Sequence, residues 1–105
     1  MERNLFQLVL QFQPWQKGPD ELVGLEDQLA DTLGDVAEVD GHDWGSDEAN
    51  IFIHCADPTS TFATCVPLVR AAGLLPLLSA GHRQLDGETY TRVWPVEDGR
   101  PFDVK

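Results

Sequence analysis

The sequence predicts an α+β fold: a ferredoxin-like βαββαβ sandwich with an additional C-terminal strand, and with two helices on one face of a mainly antiparallel sheet. The spacing between hydrophobic residues changes along the chain and predicts, in order, a strand, a helix, two strands, a helix and a strand, followed by a terminal strand. The two most apolar strand candidates are the first and the third, which lie side by side at the centre of that arrangement. A length of 105 residues, 42% of them hydrophobic, predicts one domain, residues 1–105.

The first strand is predicted from the segment "LFQLVLQFQ", in which apolar and polar residues alternate. One side of this strand carries Phe6, Leu8, Leu10 and Phe12. The other side carries Gln7, Val9, Gln11 and Gln13. The mixed character of this second side predicts a sheet that is covered on one face only.

Two helices follow from a change to helical spacing. Leucines recur at Leu22, Leu25, Leu29 and Leu33, with Pro19 in the first turn and Gly34 just past the end. Asp57 is predicted to cap the second helix, with Pro58 at its first position and Gly73 at its end. Pro67 conflicts with a regular helix, so we expect either a kink near Ala63 or a helix that restarts at Pro67.

The remaining strands are shorter. "VAEVDGHD" predicts an edge strand, "WGSDEA" a hairpin loop from Trp44 to Ala49, and "NIFIHCA" a buried strand. "LPLLSAGHRQL" predicts a further strand, and "TYTRVWP" a last strand after the Asp86-Gly87 turn.

The charge is strongly negative and unevenly distributed. The formal net charge is −11, and residues 18–69 contain twelve acids but no Lys or Arg. This excludes nucleic acid and membrane as expected partners, because both present phosphates that require cations. It favours a basic protein partner, although an acidic surface can also serve solubility alone. No segment reads as a membrane span or a signal peptide, so we expect a cytoplasmic protein.

The segment from Glu38 to Cys55 is rich in side chains suited to binding, namely acids, two histidines and a tryptophan. The residues expected to bind a partner are His42, Asp43, Trp44, Asp47 and Glu48. Tryptophan is common at binding hot spots, and the surrounding acids would steer a cation toward Trp44. The spacing of the acids matches no calcium loop or zinc motif, so neither a metal nor another cofactor is predicted.

No catalytic residue is predicted. His42 and Asp43 are neighbours on a strand and point to opposite faces, so an acid partner for His42 would have to be Glu38 or Asp47. No nucleophile elbow or phosphate-binding glycine loop is present. Cys55 and Cys65 lie in apolar segments and are interpreted as reduced core residues.

A second candidate surface is the face of the sheet away from the helices. If Ile51, Ile53 and Cys55 face the helices, the uncovered face carries Gln7, Gln11, Phe52 and His54. Such a face would suit a small ligand. Alternatively, the terminal strand or a second subunit in a homodimer covers it.

The runs "VDGHDWGSDEANIFI" and "DPTSTFATCVPLVRAAGLL" resemble a group of small bacterial proteins in which a Gly-His-Asp turn precedes an Asn-Ile-Phe-Ile strand and an Asp-Pro helix start. The resemblance covers roughly residues 36 to 95 and implies no activity. In composition alone, the chain is similar to acidic bacterial immunity proteins, which neutralise basic toxins.

Three functions therefore follow in order of preference. The first is a non-enzymatic, cytoplasmic protein-binding module, such as an immunity or inhibitor protein for a basic partner. The second is a small-ligand-binding or regulatory domain that acts as a homodimer. The third is a small enzyme centred on His42, which requires a pocket in which His42 meets an acid at hydrogen-bond distance.

Overall fold

The computed structural model describes residues 5–45, 47–95, 102 and 104. In chain order its elements are β1 (Phe6–Phe12), α1 (Pro19–Leu33), β2 (Ala37–Gly45), β3 (Glu48–Cys55), α2 (Pro58–Ala71), a short 3₁₀ helix (Leu75–Leu77), β4 (Leu78–Gln84) and β5 (Thr91–Trp94). The five strands form one sheet in the order β2-β3-β1-β4-β5, and every neighbouring pair is antiparallel. The predicted α+β class with two helices is confirmed, and β5 extends the sheet beyond a simple βαββαβ sandwich.

One hydrophobic core joins both helices to one face of the sheet. Leu8, Leu10 and Phe12 of the central strand β1 face this core and are fully buried. The leucine stripe predicted for α1 packs against them, and α2 contributes Cys65 and Val69. No helix in the described part of the chain is long and apolar enough to cross a membrane.

The helix boundaries follow the predicted signals. In α1, Pro19 occupies the first turn and Gly34 follows the last helical residue with a φ of 55°, a conformation that favours glycine. In α2, the Asp57 carboxylate accepts a hydrogen bond from the Ser60 backbone N–H at 3.2 Å.

Pro67 does not divide α2, which is continuous from Pro58 to Ala71. Of the two predicted alternatives, a helix that restarts at Pro67 is therefore wrong. Because proline has no N–H, the Ala63 carbonyl lacks its helical donor. Ala63 is exposed, so water can satisfy that carbonyl and the helix tolerates the proline.

The hairpin between β2 and β3 is tighter than predicted. Gly45 pairs with Glu48, so only residues 46 and 47 connect the strands, and the predicted loop from Trp44 to Ala49 is wrong. Asp47 has a φ of 67°, a left-handed conformation that Asp adopts more readily than most residues. The Asp47 carbonyl accepts a hydrogen bond from the Trp15 backbone N–H at 2.8 Å, which holds the turn against the loop after β1.

A β-bulge interrupts β2 at Asp40. Val39 pairs with Ile53 and Gly41 pairs with Phe52, so Asp40 is an extra residue without a cross-strand partner. Gly41 adopts a φ of 157°, which L side chains rarely adopt. The bulge reverses the facing of every later residue of β2, and His42 consequently lies on the helix side of the sheet.

Candidate functional site

The predicted partner-binding residues lie at the tip of the β2–β3 hairpin. Asp43 and Trp44 are on β2, which is an edge strand, and Asp47 is in the turn. All three residues are exposed. Because Asp43 and Trp44 alternate across the strand, their side chains lie on opposite sides of the same edge.

Trp44 differs from the other two tryptophans in its exposure. It is 50% exposed, whereas Trp15 is buried and its ring lies 5.9 Å from that of Phe12. Trp94 is half-buried, and its ring lies 6.3 Å from that of Phe62. Trp15 and Trp94 thus complete the core, while Trp44 presents a large aromatic surface to solvent.

Glu48 does not belong to the exposed surface. It is the first residue of β3 and is buried, with its Oε2 accepting a hydrogen bond from Asn50 Nδ2 at 3.0 Å. Asn50 Oδ1 in turn accepts a hydrogen bond from Gln11 Nε2 at 3.2 Å. Glu48 therefore supports the hairpin from within the structure, and the exposed acids nearest Trp44 are Asp43 and Asp47.

His42 meets an acid, but neither of the two acids considered from the sequence. Its Nδ1 lies 3.1 Å from Oε1 and 3.2 Å from Oε2 of Glu26, on helix α1. The bulge at Asp40 brings this about, because it turns His42 toward the helix side. The pair lies on an exposed edge, where it links β2 to α1.

The face predicted to be open is largely covered. The strand register places Gln7 opposite His54, and Val9 opposite Phe52, on the side away from the helices. Gln7 and Gln11, however, are only 9% and 8% exposed, and Val9 is fully buried. Phe52 and His54 are partly buried. The prediction of an uncovered face is therefore wrong at these two glutamines.

Residues from the C-terminal part of the chain provide this cover. The Tyr90 hydroxyl donates a hydrogen bond to Gln7 Oε1 at 3.2 Å, and the Tyr90 and Phe102 rings lie 5.4 Å apart. Phe102 is buried directly over Gly81 of β4, where any Cβ would come within 2.5 Å of its ring. The chain itself thus covers the part of this face around Gln7 and Gly81.

His54 lies where this cover ends, beside the acids of β2. Its Nδ1 is 3.9 Å from Glu38 Oε1, and its Nε2 is 3.6 Å from Asp40 Oδ2. No local pattern in the sequence groups these three residues. The glycine at position 41, which permits the bulge, was the available signal.

The remaining titratable groups in the core are unsuited to nucleophilic chemistry. Burial raises the pKa of the Cys65 thiol to about 12 and also raises the pKa of Cys55, so both stay protonated at neutral pH. Both are free and buried, as predicted. Burial also lowers the pKa of His82, whose ring packs edge-on against Phe6 at 5.9 Å.

The surface around the hairpin is acidic well beyond Asp43 and Asp47. Ten of the twelve acids in residues 18–69 are exposed. They are Asp20, Glu21, Asp27, Asp31, Asp35, Glu38, Asp40, Asp43, Asp47 and Asp57. Nine of them lie on or between α1, β2 and the turn after β2, so the α1–β2 side of the molecule carries a continuous excess of negative charge.

Comparison with protein-family models, with curated proteins and with solved structures finds no match.

Proposed function

We propose that this chain is a non-enzymatic protein-binding module that recognises a basic protein surface, as an immunity or inhibitor protein recognises a toxin. The observation that carries the proposal is the half-exposed Trp44 on an edge strand, next to exposed Asp43 and Asp47. An exposed tryptophan supplies apolar contact area and a ring face that attracts Lys or Arg.

The charge distribution supports the same partner class. A side that carries nine exposed acids, in a span without Lys or Arg, raises the local concentration of a cationic partner and accelerates encounter. It also repels anionic surfaces, so a nucleic acid or an anionic lipid is a poor candidate. We place the protein in the cytoplasm, where such a partner would be intercepted before it acts.

We also infer a ferredoxin-like core for this module. The strand order β2-β3-β1-β4, with α1 joining β1 to β2 and α2 joining β3 to β4, supports this assignment. In this arrangement β2 is an edge, which leaves one side of the strand that carries Trp44 accessible to a partner.

Differential capture from a lysate of the source organism tests the proposal. Wild-type protein and three variants are immobilised, and the bound proteins are eluted with rising salt and quantified. The variants are Trp44→Ala, the double reversal Asp43→Lys/Asp47→Lys, and the control reversal Asp86→Lys/Glu88→Lys. Asp86 and Glu88 are exposed and lie after β4, outside the acidic side, and this control changes the net charge by the same amount.

The proposal expects a basic protein that wild type and the control reversal retain, and that the Asp43/Asp47 reversal and Trp44→Ala lose. If no basic protein is retained, or if the control reversal reduces retention as much as the Asp43/Asp47 reversal, the proposal is wrong. Circular dichroism of each variant establishes that the fold is intact before capture is compared.

A further inference from the structure

We infer that Glu38, Asp40 and His54 form a binding site for a divalent transition-metal ion of the Zn²⁺ type. One ligand atom from each of these residues lies within 4.8 Å of the other two. The set combines one imidazole with two carboxylates, a mixture that suits Zn²⁺ and its first-row neighbours. The inference is independent of the proposed function, because it uses none of Asp43, Trp44 or Asp47.

The backbone fixes the relative positions of the three side chains. Glu38 and His54 are direct cross-strand partners between β2 and β3, and such pairs hold their Cβ atoms about 5 Å apart. Asp40 is the extra residue of the bulge, two positions further along β2. Bulges commonly re-aim a side chain near functional sites, and this bulge places a second carboxylate beside the same imidazole.

The distance between His54 and Asp40 matches a shared metal ion. Two ligands that each lie about 2.0–2.2 Å from a tetrahedral zinc are separated by roughly 3.3–3.6 Å. His54 Nε2 and Asp40 Oδ2 are 3.6 Å apart, which is too long for a good hydrogen bond but close to that separation. Glu38 Oε1 lies nearest the other ring nitrogen, 3.9 Å from Nδ1, but Glu38 is exposed, so its longer side chain has the rotamer freedom to reach an ion held at Nε2 and supply the third ligand.

The surroundings favour a cation at this point. His54 has a side chain that is only 23% exposed, so its ring is held in place, whereas both carboxylates reach solvent and leave a path for an ion. Within the part of the chain that the structure describes, both carboxylates lie near the His54 imidazole and neither pairs with a Lys or Arg. A divalent ion would therefore neutralise two negative charges without displacing a protein cation.

The chemistry of the donors also predicts selectivity. Mg²⁺ and Ca²⁺ prefer sites made entirely of oxygen ligands, and an imidazole nitrogen serves them poorly. Zn²⁺ accepts nitrogen and carboxylate oxygen together. With three ligands from the protein, at least one coordination position remains for water or for a group from another molecule.

Isothermal titration of EDTA-treated and desalted protein with ZnCl₂ at neutral pH tests the site. We expect one Zn²⁺ per chain, with binding that persists in excess Mg²⁺. His54→Ala and Asp40→Asn should each weaken Zn²⁺ binding by at least about tenfold. His42→Ala is the matched control, because it removes a second histidine–carboxylate pair of β2 on the other side of the sheet, and it should bind Zn²⁺ as wild type does.

A second measurement, on wild-type protein, does not depend on the folding of any variant. Zn²⁺ added to the protein should shift the imidazole NMR signals of His54 and leave those of His42 and His82 in place. The inference is overturned if no stoichiometric binding occurs, if His54→Ala binds as tightly as wild type, if Mg²⁺ displaces Zn²⁺, or if the signals of another histidine move instead.

Discussion

The His42 imidazole is bound to the Glu26 carboxylate across the space between β2 and α1, with Nδ1 at 3.1 and 3.2 Å from the two carboxylate oxygens. The pair exists because the bulge at Asp40 turns His42 toward the helix. It satisfies one of the two requirements of an enzyme centred on His42, an acid at hydrogen-bond distance. Its exposed position on the edge between β2 and α1 indicates a structural link more readily than a catalytic pocket.

The His42–Glu26 pair should contribute only modestly to stability. Exposed ion pairs are weakened by solvent screening and by the ordering of their side chains, and they typically contribute about 0.2–1 kcal/mol. A double-mutant cycle of His42→Ala and Glu26→Ala, followed by urea denaturation, should give a coupling free energy in that range. A coupling of several kcal/mol would show that the pair is a major anchor of β2.

Gly81 should be intolerant of a side chain because Phe102 lies over it. A Cβ at this position would come within 2.5 Å of the Phe102 ring, so Gly81→Ala should displace that ring and cost about 1–3 kcal/mol of unfolding free energy. Gly24→Ala is the control. It lies inside α1 with no atom within 4 Å of the new Cβ, and it should stabilise the protein by about 0.5–1 kcal/mol. Equal effects from the two substitutions in thermal or urea denaturation would mean that Phe102 does not cover Gly81.

The buried Cys65 thiol should make the protein less stable in alkali. Its pKa is about 12 in the folded chain against an ordinary value of 9.0, so between these values the unfolded chain loses a proton that the folded chain keeps. Stability must then fall as the pH rises above about 9, by up to roughly 1.4 kcal/mol per pH unit from this thiol.

Urea denaturation of wild type and Cys65→Ala between pH 8 and pH 11 measures this contribution. The decline in unfolding free energy with pH should be shallower for Cys65→Ala than for wild type. Parallel declines would show that the thiol titrates alike in the folded and unfolded chains. The thiol should also resist alkylation at pH 8 until the protein is unfolded.

The local signals in the sequence were sufficient for the helices and for the central strand. Gly34, Asp57 and Pro58 act within one helical turn, and the alternation of β1 depends only on neighbouring residues. The α+β class follows from such signals, whereas the exposure of Trp44 could not be predicted from them. The side of the sheet on which the later side chains of β2 lie could not be predicted in this way. The extra residue at Asp40 reverses that side, and the position of the bulge is known only from the structure.

The sequence left open whether this face of the sheet is covered, for a related reason. The hydrogen bond from Tyr90 to Gln7 joins residues 83 positions apart, so no local pattern reports it. Gly81 was the one available signal, since a glycine inside a strand often marks a close approach by another group. Glu48 was predicted to bind a partner because it is one of the acids around Trp44, whereas in the structure it is buried and accepts a hydrogen bond from Asn50.

The most direct measurement of the central claim is the association rate of the captured basic protein with wild type and with the two charge-reversed pairs. Surface plasmon resonance at low and at moderate salt would provide it. The account predicts that Asp43→Lys/Asp47→Lys slows association at low salt by at least about tenfold, while Asp86→Lys/Glu88→Lys has a much smaller effect. Equal slowing by both pairs would contradict it, because net charge alone, and not the surface around Trp44, would then govern binding.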